Sequence, residues 1–379
     1  MADLPLLELG ADPYQRGLLH GECMASAIRD NLETYLRRFE AGGVSREAAQ
    51  AEGVTWVEVI ASHSPEYAEE MRGLAEGSGL PLSDIAMLNA RYEIIYSVFG
   101  GEAEAVAGRG AEPDGCTSFG ALPEATASGH TLIGQNWDWL SGIKGRTLIL
   151  RVRRPEKPDF VGFTEAGIVG CKMGVNEAGI GLVVNGLVSD EDGRTPYLKA
   201  FHLRCREVLD AWTMDKALLA LIESDRVGSA NVMLGHGDGE VIDIEASPRD
   251  ANYLYPQDGL ITHANHFVHP KSVASRFERI TPSTLYRAAR LDRLLRRHLG
   301  RLEAAHFEDA LRDHFSRPAS ICRHEDPTQP EAKRGCSVTS AIIDLSARTL
   351  YATDGPPCEN PYQAFSLAAP EARRESAAE

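Results

Sequence analysis

The chain lacks the marks of several common functional classes. No apolar run reaches the ~18 residues that a membrane-spanning helix needs, so no membrane span is expected. The opening stretch MADLPLLELGADPY carries an acid at position 3 and no basic region, which reads against a secretory signal. Lys and Arg number 39 against 55 Asp and Glu, and a net charge of −16 would repel a phosphate backbone. The densest basic run, 290–301, reads as the wet face of an amphipathic helix, so nucleic acid is not an expected partner. The seven cysteines are scattered, odd in number and never in a CxxC pair. That argues against a disulfide framework or a thiolate zinc site and for a reducing cytoplasm. There is no GxGxxG after a strand, no Walker A loop, no HExxH and no GxSxG elbow, and no cofactor is expected.

What remains is a soluble globular pattern. The 379 residues are 43% hydrophobic and 25% charged, enough for a large buried core. Helical periodicity runs over 30–39, 46–62 and 65–75, stops at Gly77-Ser78-Gly79, and restarts after Pro81 into 85–98. Residues 100–115 are rich in Gly, Ala, Glu and Pro and read as an exposed connector. Beyond Asp114-Gly115 the texture turns to short strands at 131–139, 147–152, 159–164, 168–175 and 179–184. Helices at 198–209 and 214–224 lead to strands at 231–234, 240–245 and 260–263, then helices at 283–298 and 303–314. A hairpin-like pair, 337–345 and 349–353, follows, and the tail 371–379 reads as disordered. Strands and helices in blocks favour antiparallel sheets covered by helices over a doubly wound parallel sheet.

The chemistry concentrates at Asp114-Gly115-Cys116-Thr117-Ser118-Phe119, where the connector ends in a turn dipeptide and a strand opens on cysteine. Taken alone, Cys116 reads as a small buried hydrophobe more readily than as a nucleophile. Gly134-Gln135-Asn136-Trp137-Asp138-Trp139 follows at the span of a β-hairpin, which would bring Asn136 and Asp138 back beside the thiol. A second cluster, His263, His266 and His269, could gather around a metal only in a loop; on a strand it is a set of separate imidazoles.

Together DGCTSFG, GQNWDW, residues 164–187, THANH (262–266) and KRG (333–335) resemble the acyl-coenzyme A:6-aminopenicillanic acid acyltransferase family. This is a branch of the N-terminal-nucleophile hydrolases. Arg16-Gly17, His20-Gly21 and the run from Asn89 to Glu93 fit the same pattern. More distantly, the series is similar to bile-salt and penicillin V hydrolases. The resemblance implies an α+β fold, a four-layer αββα sandwich of two antiparallel sheets between helical layers. It implies a precursor cleaved between Gly115 and Cys116. Residues 1–115 would form a mainly helical α-fragment, and 116–379 the catalytic β-fragment that begins with the nucleophile. Asp138 would hold the new amine, and Asn265 would stabilise the oxyanion, with Asn185 as a second donor. Arg334 would orient Asp138 or a substrate carboxylate, and the Ser118 hydroxyl would reach the Cys116 amine. Lys333 stands where the fungal acyltransferase has serine, and Gln135 where bile-salt hydrolases have arginine.

The expected activity is cleavage of a linear amide through a thioester, with the acyl group passed to water or an amine. The partner would be a small N-acyl amide, with an acyl-coenzyme A or an amine acceptor as a second. Two other classes compete. One is a metal-assisted hydrolase built on the histidine trio, and the other is a non-catalytic binding protein on the same fold.

Overall fold

The computed structural model describes residues 3–95, 115–269 and 273–367. The expected connector, apart from Gly115, and the expected tail lie outside these, as do the last residues of the helix expected over 85–98.

Two sheets form the centre. One has eight strands in the order β1-β4-β5-β6-β7-β8-β9-β10 and the other six in the order β11-β2-β3-β12-β13-β14. The eight-stranded sheet comprises β1 (Leu6–Leu9), β4 (Thr147–Val152), β5 (Phe160–Glu165), β6 (Met173–Asn176), β7 (Ile180–Gly186), β8 (Ala230–His236), β9 (Glu240–Ala246) and β10 (Ala251–Leu254). The six-stranded sheet comprises β2 (Thr117–Ala121), β3 (Leu132–Leu140), β11 (Leu260–His263), β12 (Gly335–Asp344), β13 (Thr349–Ala352) and β14 (Gln363–Ser366). All pairings are antiparallel except β1 with β4.

Helices cover the outer faces. Phe201–Leu209 lies on β6 and β7. Thr284–Arg296 and Ala304–Leu311 cover the six-stranded sheet, where Phe119 stacks on Phe307 and Leu291 and Leu295 join the same apolar cluster. The order helix, sheet, sheet, helix is therefore the αββα sandwich expected from the resemblance.

Of the N-terminal helices Pro13–Ala41, Arg46–His63, Pro65–Ser78 and Leu82–Asn89, the first, third and fourth clamp the turn between β5 and β6 and the second packs on the others. Asn31 donates to the carbonyls of Arg146 and Ala166, and Asn89 to that of Gly167. The first helix begins at Pro13, capped by Asp12, well before position 30. Its buried side includes Arg16, His20, Asn31 and Arg38, so polar residues break the apolar period that sequence reading relies on. Arg16 is paired there with Glu70 and Glu66. The helix crosses Pro65–Ser78 at a distance only glycine permits, since a Cβ at Gly17 would lie 1.8 Å from the Glu70 carbonyl oxygen.

The first segment is not a separate body. Leu6 to Leu9 register with Ile149 to Val152, and residues from both sides of position 115 share one core. The strand expected over 168–175 is shorter, because residues 166–172 form the turn that the N-terminal helices grip.

Candidate active site

Strand alternation sorts the neighbourhood of Cys116 into two faces. β2 and β3 pair with Thr117 opposite Asn136, which sets Cys116 beside Trp137 and Asp138 as the hairpin reading expects. Ser118 points between the sheets, where Asn185 of β7 donates to its Oγ at 2.8 Å. Thr117 and Asp138 point the other way, towards the helical layer, and meet two buried arginines.

Arg287, one turn into the helix Thr284–Arg296, is fully buried. Its Nη1 donates to the Gly115 carbonyl oxygen at 2.6 Å, to Thr117 Oγ1 at 2.6 Å, and to the Cys116 carbonyl. Its Nη2 donates to Asn265 Oδ1 at 2.8 Å. One guanidinium thus ties the peptide before Cys116 to the amide of Asn265. Asn265 Nδ2 donates to the Gly186 carbonyl at 2.9 Å, and Asn185 Nδ2 to the adjacent Ala264 carbonyl at 2.9 Å. The Cys116 thiol is buried, with the Asp138 carbonyl oxygen 3.8 Å from Sγ.

Asp138 is fully enclosed. Ser337 donates to its Oδ1 at 2.6 Å, and Arg323 Nε stands 3.5 Å from Oδ2, an ion-pair distance beyond a hydrogen bond of good geometry. A register shift between Ser337 and Thr339 lies opposite this stretch of β3, the kind of bulge that re-aims side chains beside active sites. Burial pushes the Asp138 carboxyl up to about 7 against the opposing pull of Arg323 and Arg287. The folded state therefore holds this proton more tightly than the unfolded chain. Its contribution to stability is complete below the ordinary Asp value and is lost as pH rises through about 7. Asp138→Asn cannot ionise and lacks that slope. Unfolding in urea at pH 4.5 and 7.5 should show wild type losing a few kcal/mol relative to the variant, at about 1.4 kcal/mol per pH unit of the window. Parallel pH dependences would show that Asp138 is ionised in the fold at its ordinary value.

Arg323 also sets the residue before the cysteine. A Cβ at Gly115 would lie 2.6 Å from Arg323 Nη2 and 2.8 Å from Nε. Gly115→Ala should therefore push the guanidinium off Asp138 and shift the Gly115 carbonyl from Arg287. The expected result is a lower unfolding midpoint than wild type, with an unchanged midpoint as the result that refutes the contact.

The structure brings Gly115, Cys116, Ser118, Asp138, Asn185 and Asn265 into one neighbourhood but leaves Arg334 outside it. Arg334 Nε and Nη2 donate to the carbonyls of Gln329 and Pro327, and the side chain lines a cleft of about 550 Å³ with Arg37, Ser141 and Glu331. The arginine that faces Asp138 is Arg323 and not Arg334, so of the two expectations for Arg334 the structure leaves the one towards a substrate carboxylate. The histidine trio does not converge either. His263 uses Nε2 on Glu245 and Nδ1 on the Ala264 carbonyl, while His266 meets Thr284 Oγ1. Asn136, expected beside the thiol, donates instead to the carbonyls of Leu311 and Ile321 and braces the helical layer.

Three side chains escaped the sequence reading: Arg287, Arg323 and Lys172. Lys172 lies over the Trp137 ring, 3.2 Å from its centroid, and pairs with the buried Glu165. Burial draws its ammonium down to about 7, with Glu165 opposing, and the Cys116 thiol is among the groups it senses. Arg287 and Arg323 sit in no motif, and Lys172 lies within the run 164–187 without being marked by it; each arrives at the site by tertiary folding.

Known proteins agree with this picture at the level of family. A curated relative, the 40 kDa form of acyl-coenzyme A:6-aminopenicillanic-acid-acyltransferase of Emericella nidulans, is 29% identical over 357 residues, 93% of this chain and 87% of that one. Solved structures with remote likeness include a conjugated bile acid hydrolase from Clostridium perfringens, 12% identical, TM-score 0.44, covering 66% of this chain and 92% of that one. Another is the Caenorhabditis elegans ortholog of N-acylethanolamine-hydrolyzing acid amidase, 15% identical, TM-score 0.44, covering 61% and 93%. The penicillin V acylase of Agrobacterium tumefaciens is 14% identical, TM-score 0.42, covering 63% and 82%. The family model described as acyl-coenzyme A:6-aminopenicillanic acid acyl-transferase matches residues 125–357, well over half of the chain. The chain is thus an enzyme of acyl transfer or amide cleavage and belongs to the acyl-coenzyme A:6-aminopenicillanic acid acyl-transferase family.

Proposed function

We propose that this chain is a self-processing cysteine amidohydrolase or acyltransferase, activated by cleavage between Gly115 and Cys116. The observation that carries the reading is the Arg287 guanidinium on the Gly115 carbonyl oxygen at 2.6 Å, one peptide bond before a buried thiol. A structural arginine can cap a carbonyl anywhere. This one caps the carbonyl whose carbon an adjacent thiolate would attack, where negative charge would collect on the oxygen.

The first step is an N-to-S acyl shift. The Cys116 thiol gives up its proton, Sγ bonds to the Gly115 carbonyl carbon, and the C–N bond to Cys116 breaks as its nitrogen takes a proton. Water then hydrolyses the thioester and frees a carboxyl on Gly115. The new α-amine of Cys116 has a reference pKa of about 7.7–8.0, near the working pH, and serves as base for its own thiol. Asp138, with its proton near neutrality and Arg323 beside it, holds that amine. Asn265, whose carbonyl is fixed by Arg287, turns its amide towards the oxyanion of the substrate. Asn185 as second oxyanion donor and the Ser118 hydroxyl on the Cys116 amine would take up those roles on a change of partners after cleavage, since Asn185 Nδ2 now donates to Ser118 Oγ and the Ala264 carbonyl.

The fragments 1–115 and 116–379 would remain together, because β1 stays paired with β4 and the core spans both. The substrate is a small N-acyl amide, and the acyl group goes to water by default, because transfer needs a second pocket that holds an amine at high effective molarity. An acyl-coenzyme A donor or an amine acceptor is the second partner if transfer prevails, with Arg334 and Arg37 in the cleft beyond Leu140 available to a carboxylate. A cytoplasmic location fits the seven free cysteines. The test is the N-terminal sequence and mass of the purified active protein, followed by amine release from a panel of N-acyl amides. A single intact chain that cleaves such amides would refute self-processing.

A further inference from the structure

Away from Cys116, four side chains from two loops turn towards one point. They are His314, just after the helix Ala304–Leu311, Cys322 and His324 on the loop before β12, and Cys358 between β13 and β14. Their ligand atoms all lie within 4.8 Å of one another. We propose that these residues form a structural zinc site.

Four of the six separations lie near those of a tetrahedral ion, and the two from His314 to the sulfurs, within 4.8 Å, would close on binding. Zinc bonds of about 2.0–2.3 Å give ligand–ligand edges of about 3.3–3.8 Å. Here the two sulfurs are 3.5 Å apart, His324 Nε2 is 3.6 Å from Cys322 Sγ and 3.4 Å from Cys358 Sγ, and the two Nε2 atoms are 3.0 Å apart. Hydrogen bonding alone does not account for this convergence. A neutral imidazole Nε2 carries either one hydrogen or one lone pair, yet three ligand atoms face this one. A disulfide would need the sulfurs at about 2.05 Å. Two thiolates and two imidazoles fill all four positions, the donor set and number of a closed zinc site. The second ring nitrogen of His324 faces a carboxylate, with Glu359 Oε1 3.6 Å from Nδ1, as is usual for a metal-bound imidazole.

Cysteines close in sequence form no thiolate pair here, but distant ones do. Cys322 and Cys358 are 36 residues apart and meet because β12 and β13 form a hairpin that returns the chain. The consequence reaches the catalytic centre, because Arg323 lies between two of the ligands. An ion held by Cys322 and His324 fixes the backbone on both sides of the guanidinium that faces Asp138 and covers Gly115.

The test is metal content and spectroscopy on the full-length protein from zinc-supplemented cells, purified without chelator. About one zinc per chain is expected. Cys358→Ser and His314→Ala, both at exposed ligands, should lower it about tenfold or more, while Cys23→Ser, exposed elsewhere, should keep it. Refilling with cobalt should give thiolate charge-transfer and tetrahedral visible bands, both lost in Cys358→Ser. Less than about a fifth of an equivalent in wild type would overturn the site, as would zinc retained by both ligand variants. So would unreduced protein lighter by two hydrogens, the mark of a Cys322–Cys358 disulfide. If Cys358→Ser fails to fold, the wild-type cobalt spectrum decides, and the absence of a thiolate band overturns the proposal.

Discussion

Cys116→Ala should leave one chain of 41.3 kDa where wild type, on the proposed reading, should give two fragments of 115 and 379 − 115 = 264 residues, and it should abolish amide cleavage. Both losses have one cause, since the same sulfur would attack the Gly115 carbonyl and later the substrate. Cys116→Ser separates them. A hydroxyl is a far weaker nucleophile near neutrality, so a slow trickle of fragments is expected from serine and none from alanine. Packing will not confuse the reading. The thiol is small and buried, and its removal costs about 1–2 kcal/mol in a chain with so large a core. Denaturing gels and intact mass of freshly made protein give the answer. Cleavage of Cys116→Ala at the wild-type position would assign the break to another protease and leave the thiol without its first role.

Much of this site was legible before folding because it is local. Gly115, the strand expected from Cys116 and found from Thr117, and Asp138 at hairpin distance lie close in sequence, while the expected turn at Asp114 lies outside the described residues. Antiparallel pairing leaves one register that buries both faces, so Cys116 falls beside Asp138. The arginines were illegible for the opposite reason. Arg287 is 171 residues from Cys116 and sits just ahead of the basic run whose exposed face dominates the pattern. The helical period does put it on the face of Leu291 and Leu295, four and eight residues on, but a charged residue there reads as the edge of the apolar stripe and not as a buried member. Arg323 and Arg334 lie on a long irregular stretch between the helix Ala304–Leu311 and β12, where no period says which one returns to the core. The motif KRG drew attention to Arg334, while the fold sets Arg323 beside Asp138. The same holds for the start of the first helix. Its face is buried through Arg16, His20 and Asn31, and ion pairs and hydrogen bonds there replace the apolar contacts that periodicity detects.

Arg287 is the residue on which the cleavage reading rests hardest. Losing one donor from a developing oxyanion typically costs about 10²–10³ in rate, so Arg287→Lys and Arg287→Ala should both slow precursor cleavage by at least that order. Alanine alone would be ambiguous. It strands the Gly115 and Cys116 carbonyls, Thr117 Oγ1 and the Asn265 amide oxygen, all buried, at about 1–3 kcal/mol each, and the chain could simply unfold. Lysine keeps the charge but is a point donor, and it cannot span the Gly115 and Asn265 oxygens as the planar guanidinium does. A folded Arg287→Lys precursor, with near-native circular dichroism and a measurable half-life of cleavage, is therefore the informative sample. Adding guanidinium or methylguanidinium to folded Arg287→Ala, at concentrations below the denaturing range, should restore part of the rate by refilling the vacated space. Ammonium at the same ionic strength should not. Wild-type half-life in a folded Arg287→Lys precursor would return Arg287 to a purely structural role, holding Asn265 and the start of β2 in place while something else takes the charge on Gly115.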